Sequence, residues 1–518
     1  MIYLKQYETE TEWNAAKEQF PYPTFTWIET GDQHKYMSMW VIITDTVAID
    51  ALAECGITVP TSGKVSLAEI AQITNFKQFS DPHDSPWKGD TELADADWLK
   101  YFSGVTELDG GEFQNCTAMV SAILSNAVTV LGNIFLRCTS LQRVTLPDTI
   151  SFLGDALFNG CTYLQMTALP NNITHIGNTT FKMCESITIS DLNNVSEIGE
   201  GSFQGCLGIT SMTSDKIKKI PTEAFRVCKE MTTVYFPNVE EIGNSAFYGC
   251  SNLTTNLATD FPKLKRLGND VFRNCYRFTS IQLPATVEDL AGNPFTYNSN
   301  ITTFTVNSQN QYYYADNSST MIIERQSQKL VCLAQNATDK TIPAAVKEIG
   351  EYACANNQST AITFADCKVT KVGTYAFQAY KKTFDTSLFN TVREIGDYAF
   401  SSCDNWTPET LELPRVVKIG LRAFNQWTSV TKFIIGSKCK EIGAYPFGSA
   451  AENLTVTTVV CYATTPPTID GNTFNTAARA VIEALYVPDE SLEAYSRATS
   501  WKKFAQENKL FGLSEYEE

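Results

Sequence analysis

Residues 220–250 read Ile220-Pro-Thr-Glu-Ala-Phe225-Arg-Val-Cys228-Lys-Glu-Met231-Thr-Thr-Val234-Tyr-Phe236-Pro237-Asn-Val-Glu-Glu-Ile242-Gly243-Asn-Ser-Ala-Phe247-Tyr-Gly-Cys250. The stretch holds one unit and most of a second. Each unit begins with an apolar residue, usually followed by Gly, and runs through Ala-Phe to Cys. Then comes a segment in which apolar and polar residues alternate, closed by Pro. Alternation is the mark of a half-buried strand. Pro ends the strand because it has no N–H to give to the ladder.

The unit recurs outward in both directions. Leu131-Gly132 leads Phe135 and Cys138, Leu153-Gly154 leads Phe158 and Cys161, and Ile176-Gly177 leads Phe181 and Cys184. Ile198-Gly199 leads Phe203 and Cys206, and Leu267-Gly268 leads Phe272 and Cys275. The phenylalanines from Phe135 to Phe272 follow one another at intervals of 22, 23 or 25 residues. After Phe295 the pattern pauses. It resumes with Cys354 in the Phe position, then Phe377, Phe400, Phe424, Phe447 and Phe474; Phe113 with Cys116 is an early, weaker copy. A fixed period of this length is the signature of a solenoid, here of roughly fourteen turns. Stacked strands such as Leu141–Leu146 and Phe278–Leu283 predict a parallel sheet along one face. The phenylalanines and cysteines predict two inward ladders.

Nine cysteines (Cys116, Cys138, Cys161, Cys184, Cys206, Cys228, Cys250, Cys275, Cys403) hold one slot of the unit, and other copies put Asn298, Asn357, Tyr380, Trp427 or Ala450 there. A slot that takes those residues is a packing slot rather than a metal or redox site. Strand spacing permits disulfides, but buried free thiols suit a small core position better.

Strand, Pro, apolar-Gly, Ala-Phe, then Cys resembles the BspA-type leucine-rich repeats of Treponema and Bacteroidetes surface proteins. The likeness covers roughly residues 105–475 and implies an α/β-type repeat solenoid dominated by β, with a parallel strand face. It also implies that residues 307–342, with Tyr312-Tyr313-Tyr314, Met321-Ile322-Ile323 and Leu330-Val331-Cys332, form a β-hairpin island. Leu485-Tyr-Val-Pro488 followed by a helical run from Asp489 to about Phe504 is similar to the terminal cap of such proteins. Helical caps at both ends are physically needed, because a last turn otherwise exposes its apolar side. The expected organisation is a small α+β segment over residues 1–45, a degenerate EF-hand-like helical region over 46–108, the array over 109–475 and the C-terminal cap over 476–518.

The first hundred residues lack the repeat. Thr9 with Glu12 has the form of a capping box for a helix reaching Phe20, flanked by extended segments at Tyr3–Tyr7 and Phe25–Tyr36. In relatives of the resembled family a Ca²⁺-type loop often precedes the array. Aligning Gly63 with its turn glycine, Val65 with its apolar position and Glu69 with its last ligand leaves Thr58, Pro60 and Ser62 where carboxylates are required. Asp90, Asp95 and Asp97 read as turn and cap residues. No cofactor and no metal site are expected.

The chain has 518 residues, 43% of them hydrophobic and 19% charged, the balance of a folded protein. A formal charge of −17 repels phosphate backbones, so nucleic acid is a poor partner. No apolar run approaches the ~20 residues of a membrane span, and no signal peptide is visible after Met1. Three histidines (His34, His83, His175) hold no metal-ligand spacing. Gly199-Glu-Gly201 begins like a dinucleotide fingerprint but has Gln204 at the third glycine. No P-loop or nucleophile elbow occurs, so an enzyme is not expected. Triplets such as Asn252-Leu-Thr254 carry no information.

The remaining candidates are the outward residues of the strands: Arg143 and Thr145, Thr233 and Tyr235, Ser280 and Gln282, Thr303 and Thr305, and Lys432 with Ile434. Side by side they predict a polar, Thr-rich binding face for a protein or glycan ligand. The family likeness implies a surface or secreted adhesin. A virion or tail-associated receptor-binding protein is the alternative, motivated by the N-terminal segment, which would serve as an attachment module.

Overall fold

The computed structural model describes residues 2–7, 26–30, 33–42, 49, 52–53, 57–62, 64–66, 70–74, 76, 87–336, 339–403, 408–448 and 454–517. Parallel strands lay out about 18 turns of solenoid, with few helices. The count exceeds the roughly fourteen read from the sequence because some turns carry no Phe-Cys landmark. Asp95–Ala96, Ala484–Val487 and Leu510–Gly512 each belong to such a turn. By contact density the chain divides into two units, residues 1–239 with 249–252, and residues 240–248 with 253–518.

In each unit the turns build two narrow parallel sheets, although some turns, such as the one through Leu164, add no strand to the first. The first sheet is built from the Pro-terminated strands. In the first unit Asp95–Ala96, Ser121–Ile123 and Arg143–Thr145 pair in register, as do Ser211–Thr213 and Thr233–Tyr235. In the second unit Ser280–Leu283 pairs with Thr303–Val306, and Lys340–Ile342 leads a three-stranded set. Five strands from Thr410–Leu413 to Leu510–Gly512 close the array.

The second sheet was not foreseen. It is made of the two residues before each Gly, such as His175–Ile176 beside Glu197–Ile198, and Glu394–Ile395 beside Lys418–Ile419. The apolar member is buried and the polar member faces outward. The following Gly is required by close approach rather than by a left-handed backbone. A Cβ on Gly396 would lie 2.6 Å from the Thr374 amide nitrogen, and one on Gly132 would lie 2.8 Å from the Asp109 Cα. The next residue is often Asp or Asn and ties the turns together. Asp155 Oδ1 accepts from the Asn178 amide at 2.7 Å, and Asn178 Oδ1 accepts from the Glu200 amide at 2.8 Å.

The interior follows the repeat. In the first unit Phe113, Phe135, Phe158, Phe181, Phe203 and Phe225 stack ring on ring, with centroids 5.4–6.0 Å apart, and Trp87 begins the column 5.2 Å from Phe113. In the second unit Phe247 stacks on Phe272 and Phe272 on Phe295; Phe377, Phe400, Phe424 and Phe447 form another run. Full burial of each ring contributes roughly 1.5–3 kcal/mol.

The cysteine slot does more than pack. Cys138, Cys161, Cys206, Cys228 and Cys250 each donate a thiol hydrogen bond to the carbonyl of the phenylalanine one turn back, at 2.9–3.1 Å. Cys116 donates in the same way to the Trp87 carbonyl at 2.7 Å. In the second unit Cys275 and Cys403 do so, and Asn298 Nδ2 and Trp427 Nε1 replace them as donors to Phe272 and Phe400 at 2.8 Å. In these copies the slot supplies a buried side-chain donor, whereas Tyr380 donates instead to the Ser359 carbonyl at 3.3 Å and Ala450 has no side-chain donor. The described cysteines are free thiols.

Residues 313–333 form the island: Tyr313–Ala315, Met321–Glu324 and Lys329–Leu333 pair antiparallel, and the last strand then joins the second sheet in parallel beside Glu348–Ile349. The Tyr313 hydroxyl accepts from the Leu290 amide at 2.8 Å. At the C-terminus the expected helical run appears as short helices at Leu492–Arg497 and Lys502–Gln506, lying between two further parallel strands. The buried Tyr495 hydroxyl donates to the Ala463 carbonyl, and Trp501 Nε1 to that of Pro467.

Before the array, Ile2–Tyr7, Thr26–Thr30 and Lys64–Ser66 all pair antiparallel with Gln33–Ile42. Val65 is buried in this sheet, and Thr58, Pro60 and Ser62 are exposed. The Thr9–Phe20 helix, Gly63, Glu69 and His83 lie outside the described residues.

Candidate binding face

Alternation along the Pro-terminated strands decides which side chains leave the core. Val234 is buried between exposed Thr233 and Tyr235, and Ile281 between exposed Ser280 and Gln282. Arg143 and Thr145 are exposed on either side of half-buried Val144. Ser280 stands opposite Thr303 and Gln282 opposite Thr305. Thr303 is half-buried and Thr305 exposed. Lys432 is half-buried, with its ammonium 5.2 Å from the Tyr516 ring centroid, and Ile434 is half-buried on the same strand. The candidates therefore gather in pairs on individual strands. Arg143 and Thr145 share a three-stranded sheet with Ser121–Ile123, whereas Thr233 and Tyr235 share theirs with Ser211–Thr213.

The face has relief. In the first unit a groove of about 290 Å³ is lined by Asp191, Asn193, Thr213, Ser214, Asp215, Tyr235 and Pro237. It is built from two rows. Asp191, Thr213 and Tyr235 stand in register on three successive turns. Asn193, Asp215 and Pro237 follow two residues later on the same turns. Asp191 Oδ1 accepts from the Asn193 amide at 2.7 Å, which holds Asn193 in the left-handed region at φ 47°. Asp215 is exposed and pairs with Lys216 at 3.4 Å. Of these residues only Tyr235 was named from the sequence. Asp191 and Asp215 escaped notice because they lie in turn positions where acidic residues are ordinary.

The second sheet carries a different chemistry. In the second unit its outward row reads Lys329, Glu348, Lys371, Glu394, Lys418, Glu441, each in register with the next. The signs alternate at every step. Lys371 lies 3.3 Å from Glu348 and Lys418 lies 2.9 Å from Glu441. The hydrogen bond and charge of Glu441 raise the Lys418 ammonium above its ordinary value. At the island end a second groove, of about 240 Å³, is lined by Lys329, Glu348, Glu351 and Lys371 among others. Burial, with a smaller contribution from Asp270, raises the Glu351 carboxyl above the usual range. In the first unit the same row runs through Val130, Phe152, His175 and Glu197. His175 Nε2 lies 3.6 Å from Glu197 Oε2.

The ladder thiols are suppressed as nucleophiles rather than activated. Burial pushes the thiols of Cys116 and Cys228 up to about 12, and those of Cys138, Cys161, Cys184 and Cys206 well above the ordinary range. A thiol held protonated is a poor nucleophile and a poor metal ligand. Among the described residues there is no group of three or more His, Cys, Asp or Glu placed to hold a metal ion. Asp90 Oδ1 instead accepts from the amides of Glu92 and Leu93, and Asp95 Oδ1 from that of Asp97. No described helix is long and apolar enough to cross a membrane.

The profile of the BspA type leucine rich repeat region matches residues 106–232, 196–320 and 331–464. No curated protein matches the chain. Among solved structures, a leucine rich cell surface protein of Faecalibacterium prausnitzii is 20% identical over 68% of this chain and 85% of its own, with a TM-score of 0.46. The pneumococcal vaccine antigen PcpA is 16% identical over 70% of this chain and 83% of its own, with a TM-score of 0.44. A leucine rich repeat protein of T. pallidum is 27% identical over 29% of this chain and 72% of its own, with a TM-score of 0.27.

Proposed function

The chain belongs to the BspA-type leucine-rich repeat family, and from that premise we propose that it is a non-catalytic binding protein, displayed on or secreted from a bacterial cell, that holds a protein or glycan ligand on its first-sheet face. The observation that carries this reading is the row of outward polar side chains on that sheet, typified by exposed Ser280 and Gln282 beside half-buried Thr303 and exposed Thr305. Their strands are short and in register, so the side chains point in one direction at fixed spacing. A preordered polar surface loses little conformational entropy on binding. The second sheet is a poorer receptor, because its alternating charges in the second unit already neutralise one another.

The test is binding of the full chain to an array of extracellular proteins and glycans, beside a variant carrying Arg143→Glu, Thr233→Glu and Gln282→Glu. These positions are exposed, so the variant should fold with an unchanged melting curve. A ligand lost in the variant supports the face. A ligand kept in full by the variant overturns it.

A further inference from the structure

We propose that the groove of Asp191, Thr213 and Tyr235 is a carbohydrate subsite for a neutral or amino-sugar disaccharide. The proposal rests on the first-sheet reading above and narrows it to one ligand class at one place.

The groove crosses three successive turns. At ordinary strand spacing these span about 10 Å, room for two linked pyranose rings. A pyranose presents an apolar C–H face and a rim of hydroxyls, so its receptor needs an aromatic plate beside fixed hydrogen-bonding groups. Tyr235 supplies the plate. It is 50% exposed, although the Val234 beside it on the strand is buried. An aromatic side chain left open to water inside a concave polar setting is available to a ligand with a matching apolar face.

The polar partners are fixed in place. Asp191 is oriented by the Asn193 amide. That bond leaves further acceptor capacity on the carboxylate, which suits hydroxyl or ammonium donors. The Asn193 side chain stands two residues further along the same turn, and Asp215 occupies the equivalent position on the next turn. Thr213 lies between Asp191 and Tyr235 in the register row. The lining holds two carboxylates, Asp191 and Asp215, and no lysine or arginine, which disfavours uronic and sialic acids. An amine-bearing sugar gains from the same charges.

The experiment is titration of the full chain with chitobiose, cellobiose, glucosamine disaccharide and digalacturonate, read by calorimetry and saturation-transfer NMR. At least one of the first three is expected to bind, and digalacturonate is not. Tyr235→Ala should weaken binding about tenfold or more, and Tyr235→Trp should retain it. Asp191→Asn should weaken the amino sugar more than the neutral ones. Digalacturonate binding as tightly as the others, or binding untouched by Tyr235→Ala, overturns the groove. Binding that survives Tyr235→Ala but is lost with Thr145→Glu overturns the groove while leaving the first-sheet face standing. No response to any of the four sugars overturns the saccharide subsite; the face is then judged by the array.

Discussion

The thiol of Cys184 donates to the carbonyl oxygen of Phe158, one turn back, at 3.0 Å. Both residues are fully buried, so that carbonyl has no water to turn to. That carbonyl also accepts from the Cys161 amide at 2.9 Å, so the thiol is its second donor rather than its sole one. Cys184→Val keeps the apolar volume and removes that second donor, and should destabilise the protein by roughly 0.5–1.5 kcal/mol, the net contribution of one hydrogen bond. Urea unfolding at equilibrium measures this. An unchanged midpoint would reduce the slot to packing alone.

The Phe203 ring lies 5.4 Å from both Phe181 and Phe225. Removing it leaves a hole that two rigid neighbours cannot close. Phe203→Ala should cost roughly 3–5 kcal/mol. Since each turn of a solenoid leans on its neighbours, hydrogen exchange should quicken in those turns before it does elsewhere. Uniform quickening along the array would argue against a nearest-neighbour stack.

Glu394 stands in register between Lys371 and Lys418. Glu394→Lys would place three like charges side by side and should destabilise by roughly 0.5–1 kcal/mol at low salt. The penalty should shrink as ionic strength rises, because exposed charges are screened. Melting curves at low and high salt separate this from a packing defect, which salt would leave in place.

The raised Glu351 carboxyl sets a pH dependence of known sign. In the folded chain the protonated form is favoured by burial and by Asp270. Between the ordinary carboxylate value and the raised one, the folded state therefore binds more protons than the unfolded state. Stability falls as pH rises through that window. Glu351→Gln removes the charge, so it should be the more stable chain at neutral pH, and the two should converge below the ordinary carboxylate range. Denaturation midpoints across that range decide the matter; a variant less stable at neutral pH would contradict it.

The Phe-Cys period was legible because most turns repeat the same burial problem, so Phe181 and Phe203 occupy equivalent positions for one reason. The second sheet was less so. A strand of two residues, such as Glu394–Ile395, is too short to show alternation. In the second unit its signal lay in the charged residue before each apolar-Gly pair, whose sign changes from Lys371 to Glu394 to Lys418. The donor role of the cysteine slot was partly present in the sequence, since Asn298 and Trp427 share with Cys a polar hydrogen rather than a volume, although Ala450 in the same slot has none. The groove was not legible. Asp191, Thr213 and Tyr235 belong to three turns, and only the stacking register brings them into one row.

The glycines after the second-sheet strands lie against the preceding turn with no space for a methyl group. Along that line the pitch of the stack is fixed. Extra residues are taken up elsewhere, on the path from the first sheet to the second, as in the short helix Leu257–Asp260 and the 3₁₀ turn Thr386–Asn390. The gene can therefore gain or lose material as a whole coil, or as a bulge away from that line. Recombination between near-identical coils would change the reach of the molecule in discrete steps while the spacing of neighbouring side chains stays constant.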